Sequence, residues 1–207
     1  MCVSVVCLLS SCATKKMTLF SGSESSGGTY GLPDVPGFVL EPGDAVSIVF
    51  FGNDKETVTP FNMNEADSYM VAPDGFVTLP VIGKKQLAGM TETEAERELQ
   101  KAVAQQLRNP LVRVRISNAH VTVLGEVRHP GTFSINYPVT LLAALGLAGD
   151  MLPNANRENV LIQRQENGKV TQYRVNLLTD ELFSSPCYYL RKGDVVYVSP
   201  RYKTSRR

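Results

Sequence analysis

Two segments of this sequence combine a tight-turn signal with a short run of β-forming residues. The first, VAPDGFVTLPVIG, covers residues 71–83, and the second, VLGEVRHPGTF, covers residues 123–133. Asp-Gly and Pro-Gly pairs favour tight turns because glycine accepts a positive φ and proline fixes φ. Neither segment contains a nucleophile, a cluster of metal ligands or a phosphate-binding loop, so both indicate architecture and point away from catalysis.

The first half of the chain reads as short strands with one amphipathic helix. We predict strands over residues 45–51, 69–71 and 76–79, the last two flanking the Asp74-Gly75 turn as a hairpin. Pro80 confines the last of these strands to a sheet edge or a strand end. Residues 54–67 are polar and weakly patterned, which predicts a loop.

A helix followed by an alternating strand comes next. Thr91 and Glu94 have capping-box spacing, and apolar residues then recur at helical intervals as far as Leu107. We predict that this helix covers a sheet and ends at Asn109-Pro110. Residues 111–117 alternate between apolar and polar side chains, which predicts a strand with one buried face.

The second half has the order strand, strand, helix, hairpin, strand, which suits a β-grasp module. Strands are predicted over 121–127, 132–135, 160–165, 170–175 and 195–199, and a helix over 141–148 that is capped by Thr140. Residues 42–48 and 192–198 both place a Gly-Asp turn before a strand, which indicates one turn design used twice. The predicted class is α+β: a small domain with a mixed sheet and one covering helix, then a β-grasp-like domain.

Taken in order, these segments resemble the bacterial polysaccharide export family. Its members pair an export domain with a small β-grasp module that binds soluble ligands. The resemblance runs from Leu40 to Pro200. The motif residues that carry it are Pro42, Gly43, Asp44, Pro73, Asp74, Gly75, Pro80, Gly83, Gly125, Glu126, Pro130 and Gly131. It implies an export domain over residues 38–118, a soluble-ligand-binding (SLBB) β-grasp domain over residues 119–200 and a basic tail over residues 201–207.

The N-terminus resembles a bacterial lipoprotein signal. A short apolar run precedes Cys12, so we expect residues 1–12 to be a signal ending at a lipidated Cys12, and the Ser/Gly-rich residues 13–37 to be a flexible tether. The alternative is a buried strand with a stray cysteine. No basic segment precedes the apolar run, so we expect a truncated or miscalled start. With Cys12 acylated, Cys187 would be the only cysteine in the folded part, and we expect it to be buried and unreactive.

Composition and motifs argue against several functions. The formal net charge is +1, which gives no reason to expect a nucleic-acid partner. His120 and His129 have no Cys, Asp or Glu at ligand spacing, so we expect no metal site and no cofactor. No serine lies in a nucleophile elbow, and no carboxylate pair has an evident reason to have separated pKa values. We therefore predict no catalytic residues and a protein that is not an enzyme.

The resemblance also implies partners and a location. It implies a homo-oligomeric ring around a polysaccharide cargo, an inner-membrane polysaccharide co-polymerase as partner, and a lipid anchor at the periplasmic face of the outer membrane. Arg113 and Arg115 lie on the polar face of their strand. They either face an acidic glycan or form an ordinary solvated surface. The family's C-terminal amphipathic helix is missing here, so either the sequence is truncated or another protein supplies the membrane segment.

Two other functions stay open at this point. One is a periplasmic lipoprotein module that binds a glycan or a small cobalamin-like ligand through residues 121–200. The other is an enzyme that acts on polysaccharide, which would need two carboxylates flanking a cleft.

Overall fold

The computed structural model describes residues 19–20, 29–52, 59–62, 68–166 and 168–201. These residues form ten strands and two α-helices, with short 3₁₀ turns at Thr59–Asn62 and Asp180–Ser184. In chain order the elements are β1 (Ala45–Phe51), β2 (Tyr69–Met70), β3 (Phe76–Leu79), β4 (Gly83–Gln86), α1 (Glu92–Val103), β5 (Leu111–Ile116), β6 (His120–Gly125), β7 (Gly131–Ser134), α2 (Leu141–Leu147), β8 (Ala155–Glu166), β9 (Lys169–Val175) and β10 (Val195–Pro200).

The first sheet has the order β2-β1-β5, and both of its strand pairs are antiparallel. Alternate residues of β1 and β5 are buried, as the sequence pattern predicts. Helix α1 packs along β5 and buries Ala95, Leu99 and Val103. Burying a leucine such as Leu99 contributes roughly 1.5–3 kcal/mol, so this apolar stripe is the main force holding the helix on the sheet.

The predicted capping box is present at the start of α1. The hydroxyl of Thr91 accepts the N–H of Glu94 at 3.3 Å, and the Glu94 carboxylate accepts the N–H of Thr91 at 2.8 Å. These bonds from Thr91 lower the pKa of Glu94 below its usual range. Two helix N–H groups that would otherwise lack a partner are therefore satisfied.

The end of α1 differs from the prediction. The helix stops at Val103 and does not reach Asn109-Pro110. The N–H groups of Gln106 and Leu107 both donate to the Val103 carbonyl at 2.9 Å, which turns the chain back toward β5. Leu107 is still buried, but from this turn. Apolar spacing therefore identified a core residue correctly and placed the helix end wrongly.

Polar side chains of α1 occupy the outer edge of β5. Carboxylate oxygens of Glu92 and Glu96 accept the N–H groups of Ile116 at 2.8 Å and Val114 at 3.1 Å. Four helix residues rise about 6 Å and two strand residues about 6.7 Å, so one side chain per helical turn meets every second strand residue. Arg115 adds ion pairs to both carboxylates, at 3.2 and 3.5 Å. Because these donors are occupied, this part of the edge is closed to another strand.

The hairpin predicted at Asp74-Gly75 is wrong in its pairing. The turn exists, since Gly75 N–H donates to the Ala72 carbonyl at 2.8 Å. However, β2 pairs with β1, and β3 pairs with β4 through the registers Phe76↔Gln86 and Leu79↔Gly83. The turn therefore joins strands of two different sheets. Strand β4, with the sequence GKKQ, was missed because it has no apolar alternation.

The second sheet has the order β7-β6-β10-β8-β9, as expected of a β-grasp module. Strands β6 and β10 are parallel, and the other three pairs are antiparallel. Helix α2 buries Leu141, Ala144 and Leu145. The α+β class is confirmed. The mixed sheet is that of the second domain, because it contains the parallel β6-β10 pair. Buried apolar residues of both domains form one continuous cluster.

Two aromatic residues of the segment predicted as a flexible tether contact the second domain. The rings of Phe20 and Tyr30 stack on Phe183, with centroid distances of 5.3 and 4.7 Å. The N–H of Phe20 also donates to the Leu177 carbonyl at 3.2 Å. At Phe20 and Tyr30 the chain before the first domain is therefore held against the second one. Residues 1–18 and 21–28, which include Cys12, lie outside the described residues.

We predict that Glu92→Ala destabilises the fold by about 1–2 kcal/mol, because it leaves the Ile116 N–H without its acceptor. Glu92→Gln keeps an acceptor oxygen and should cost less. Burial is the main cause of the raised pKa of Glu92, so the wild type loses stability as pH rises through that pKa. Urea titrations between about pH 4 and 8 should therefore show that the free energy of unfolding of Glu92→Gln increases relative to that of the wild type as pH rises. Thr93→Ala, an exposed change on the same turn, is the control, and equal losses in all three variants would contradict the edge contact.

We also predict that the Cys187 thiol is unreactive in the folded protein. Its side chain is fully buried, and burial raises its pKa to about 11, an effect that the Arg164 guanidinium only partly offsets. At pH 8 only about one thiol in a thousand would be ionised. In a Cys2→Ser/Cys7→Ser/Cys12→Ser variant, maleimide labelling should be at least a hundredfold slower in buffer than in urea. Equal rates would contradict a buried thiol.

Candidate functional site between the two domains

Two turns with the same hydrogen-bond pattern begin β1 and β10. In the first, Asp44 N–H donates to the Glu41 carbonyl at 3.0 Å, and Glu41 N–H donates to the Asp44 carboxylate at 2.8 Å. In the second, Asp194 and Arg191 make the same two bonds at 3.1 and 2.9 Å. The glycine before each aspartate has a φ of 94° or 80°, respectively. The prediction of one turn design used twice is therefore confirmed.

These two turns meet across the domain boundary. The Lys192 ammonium lies 2.5 Å from an Asp44 carboxylate oxygen and 2.9 Å from a Glu41 carboxylate oxygen. Asp44 is 8% exposed, so this pair is shielded from water more than an ordinary surface ion pair. Asn118, in the connection between β5 and β6, accepts from Ala45 N–H at 3.0 Å and donates to the Gly43 carbonyl at 3.2 Å. Lys192 thus joins the first turn to the second domain, and Asn118 fixes the same turn to the connection between the two domains.

A buried ion pair holds the second turn. Two guanidinium nitrogens of Arg164 lie 2.9 and 2.7 Å from the two carboxylate oxygens of Asp194, and both residues are almost fully buried. Arg164 also donates to the carbonyls of Pro186 and Tyr189, both at 3.3 Å. The Asp194 carboxylate keeps the pKa of Arg164 raised even though burial alone would lower it. Arg164 therefore remains charged inside the domain.

A cleft of about 510 Å³ opens beside these turns. One wall is formed by residues 36–39 and Glu41, and the other by residues 164–166 and 190–192. The charged residues of its rim are paired with one another: Arg191 contacts Glu166 on the same wall, and Lys192 contacts Glu41 on the opposite wall. No group of His, Cys, Asp and Glu able to hold a metal ion occurs in the part of the chain that the structure describes. The cleft offers charged and hydrogen-bonding groups beside the apolar residues Pro36, Phe38, Val39 and Leu190.

The remaining predicted motif residues of the first domain shape turns and do not line this cleft. Asp74 accepts the N–H of Phe76 at 3.2 Å, the expected turn-stabilising bond, between Pro73 and the strand. Pro80 follows the last residue of β3, and Gly83 begins β4 with a φ of 69°. These residues build the small β3-β4 hairpin.

The predicted motif of the second domain is also architectural. Gly125 has a φ of 91°, and a Cβ at this position would lie 2.0 Å from the Val198 carbonyl oxygen, so only glycine fits. The N–H of Glu126 donates to the Val198 carbonyl at 2.9 Å, just beyond the parallel β6-β10 pair. Pro130 precedes β7, and Gly131 pairs with Val123.

The two arginines predicted to face a glycan have different surroundings. Arg115 is held by Glu92, Glu96 and the Val114 carbonyl, which fits the structural alternative. Arg113 is exposed on the same face of β5, and its partner across the strands is Val49. No ion pair of Arg113 occurs among the described residues.

Sequence reasoning missed Lys192 and Glu41, which join the domains, although the turn that carries each was recognised. The one available signal was their alignment: Glu41-Pro42-Gly43-Asp44 corresponds to Arg191-Lys192-Gly193-Asp194, with lysine in place of proline. Only the folded arrangement shows that this lysine reaches the aspartate of the other turn. Within the described ranges, no helix is both long and apolar enough to cross a bilayer.

Comparison with known proteins assigns a family to each domain. Residues 32–117 match the family model described as polysaccharide biosynthesis/export protein, and residues 119–198 match the SLBB domain. The EPS I polysaccharide export outer membrane protein EpsA of Ralstonia solanacearum is 32% identical over 137 residues, which cover 64% of this chain and 36% of that protein. The protein of the same name from Ralstonia nicotianae is 31% identical over the same shares. This chain spans about a third of the length of these relatives. The two domain matches in succession and the likeness to EpsA show that it belongs to the polysaccharide export protein family.

Proposed function

We propose that this chain is a non-enzymatic component of exopolysaccharide or capsule export. The observation that carries the proposal is the succession, within one chain, of a polysaccharide biosynthesis/export domain and an SLBB domain. The likeness to an outer membrane protein named for polysaccharide export supports it.

In this proposal several copies close into a ring, and the hydrated polymer passes through it without tight binding. Ring closure needs a heterologous interface that repeats by rotation. The outer face of the second sheet offers apolar surface for it, because Leu124 and Tyr197 are neighbours on β6 and β10 and are 41% and 40% exposed. The edge of β5 is a poor alternative, since Glu92 and Glu96 already occupy its donors.

The proposal places the protein at the periplasmic face of the outer membrane, with lipidated Cys12 as anchor and an inner-membrane co-polymerase as partner. The family resemblance supports the partner, and the lipoprotein-like segment before Cys12 supports the anchor. A bacterial lipoprotein with two or more acyl chains is held firmly without a spanning helix.

We expect deletion of the gene to abolish most exopolysaccharide outside the cell, and the wild-type gene to restore it. Leu124→Glu/Tyr197→Glu should restore little, because two carboxylates would face the apolar surface of the neighbouring copy. Val170→Glu, an exposed change on β9, is the matched control and should restore export fully. Uronic-acid or total-sugar assays on the culture supernatant measure the outcome. Normal export in the deletion strain, with no paralogue present, would reject the proposed function.

We expect radiolabelled palmitate to label the wild-type chain and not a Cys12→Ser variant. Acylation needs the thiol that this variant lacks, and the label can be followed after immunoprecipitation. Cys7→Ser, which removes a thiol inside the signal, is the control and should keep the label. Equal incorporation in all three proteins would remove the anchor from the proposal.

The alternative is a periplasmic module that binds a glycan or small ligand, and the cleft of about 510 Å³ favours it. The two functions differ in assembly. Light-scattering mass measurement of the detergent-solubilised protein separates them. A strict monomer that binds a small ligand supports the module, and a defined oligomer supports the export ring.

A further inference from the structure

A second concave surface lies at the end of α1, away from the motifs described above. It is an open notch of about 790 Å³ between the last turns of the helix and the loop that leads into β5. We call it the α1 notch. The side chains that matter in it are the cations Arg97, Lys101 and Arg108 and the carboxamides Gln105, Gln106 and Asn109.

The charge of the α1 notch is one-sided. The whole chain has 21 Lys and Arg against 20 Asp and Glu, yet the lining of the notch contains three cations and no carboxylate. Arg97 has Glu94 as a charged neighbour, since it contributes to the lowered pKa of Glu94. Lys101 and Arg108 form no ion pair with any of the described residues. Arg115, which lies outside the notch, contacts two carboxylates.

One of these cations has a structural explanation. Lys101 lies in the last turn of α1, where a positive charge complements the exposed carbonyl end of the helix. That explanation does not extend to Arg108, which lies beyond the helix end, nor to Arg97, which lies in its middle. The concentration of cations therefore exceeds what the helix needs.

The loop that forms one side of the α1 notch is fixed by contacts with the core and with the helix. Leu107 is buried, and its N–H donates to the Val103 carbonyl. The side-chain amide of Gln100 donates to the Pro110 carbonyl at 2.7 Å. Gln105, Gln106, Arg108 and Asn109 are all exposed around this fixed point. The polar groups are thus presented on a fixed frame, which lowers the entropy lost when a ligand binds.

The chemistry of the α1 notch matches an acidic sugar chain. Guanidinium and ammonium groups pair with carboxylates, and carboxamides both donate to and accept from hydroxyl groups. The lining has no aromatic side chain on which a nucleic-acid base would stack, and its one large apolar residue, Leu107, is buried and unable to enter a lipid surface. Contacts of this open, solvated kind are weak, which suits a polymer in transit.

We propose that the α1 notch is a binding site for the carboxylate-bearing segments of an acidic polysaccharide. The proposal rests on the proposed export function, because it names the class of polymer that would be carried. Its binding partner is defined by charge and hydroxyl groups, so binding can be measured on the purified protein without any export.

The test is an isothermal titration calorimetry experiment at low salt, in which the full-length protein is titrated with a hexamer of galacturonic acid. Maltohexaose, a neutral sugar of equal length, is the control ligand. We expect the acidic hexamer to bind, the neutral one to bind at least tenfold more weakly, and added salt to weaken binding further. Lys101→Ala/Arg108→Ala should lower the affinity on the order of tenfold, since it removes two charge-assisted contacts.

Lys84→Ala/Lys169→Ala removes the same charge from two exposed positions outside the notch, and its affinity should stay within about twofold of wild type. Equal losses in both double variants would reject a specific site, as would equal binding of both hexamers. Binding to phosphatidylglycerol vesicles with no binding of the acidic hexamer would assign the notch to a lipid surface instead. If the hexamer does not bind while gene deletion still abolishes export, the notch proposal alone fails.

Discussion

The arrangement of the two domains depends on the buried carboxylate of Asp194. It is 1% exposed and accepts hydrogen bonds from Arg164 and from the N–H of Arg191, so a buried ion pair and a backbone contact both hold the turn before β10. That turn carries Lys192, which reaches Asp44 in the equivalent turn of the first domain. Removing one partner of a buried ion pair costs about 3–5 kcal/mol, a large part of the 5–15 kcal/mol that stabilises a typical domain. Asp194 therefore orients Lys192 toward the first domain as well as holding the local turn together.

Replacing both members of a buried ion pair with apolar residues is often neutral or stabilising, so stability alone does not explain Arg164 and Asp194. What this polar pair contributes here is a fixed orientation of the turn. Arg164 makes hydrogen bonds to two carbonyls near the turn in addition to the carboxylate, and each bond has a preferred angle. An apolar pair would fill the same volume without orienting Lys192. The polar pair is thus suited to specifying where the first domain sits.

Local chemistry made much of this fold predictable. The Thr91–Glu94 capping box, the apolar face of α1 and the succession of strands and helix along the second half depend on residues close in sequence. The errors arose where a local signal has several partners in the fold. The turn at Gly75 was visible, but the sequence does not say that β3 pairs with a polar strand such as β4. Leu107 has helical spacing and is buried, yet the chain had already left the helix at Val103.

The site shows the same division. Asp44 was recognised as a turn residue, and its hydrogen bond to Glu41 could be expected from the sequence alone. Its contact with Lys192 joins residues on two domains, so no local pattern encodes it. This contact bears on the proposed ring, because closure requires the same angle between domains in every copy. A small error in that angle, repeated around the axis, would give an open helix and not a ring. The ring we propose therefore needs a shielded, directional contact between the two domains of each copy, and the Lys192–Asp44 pair is such a contact.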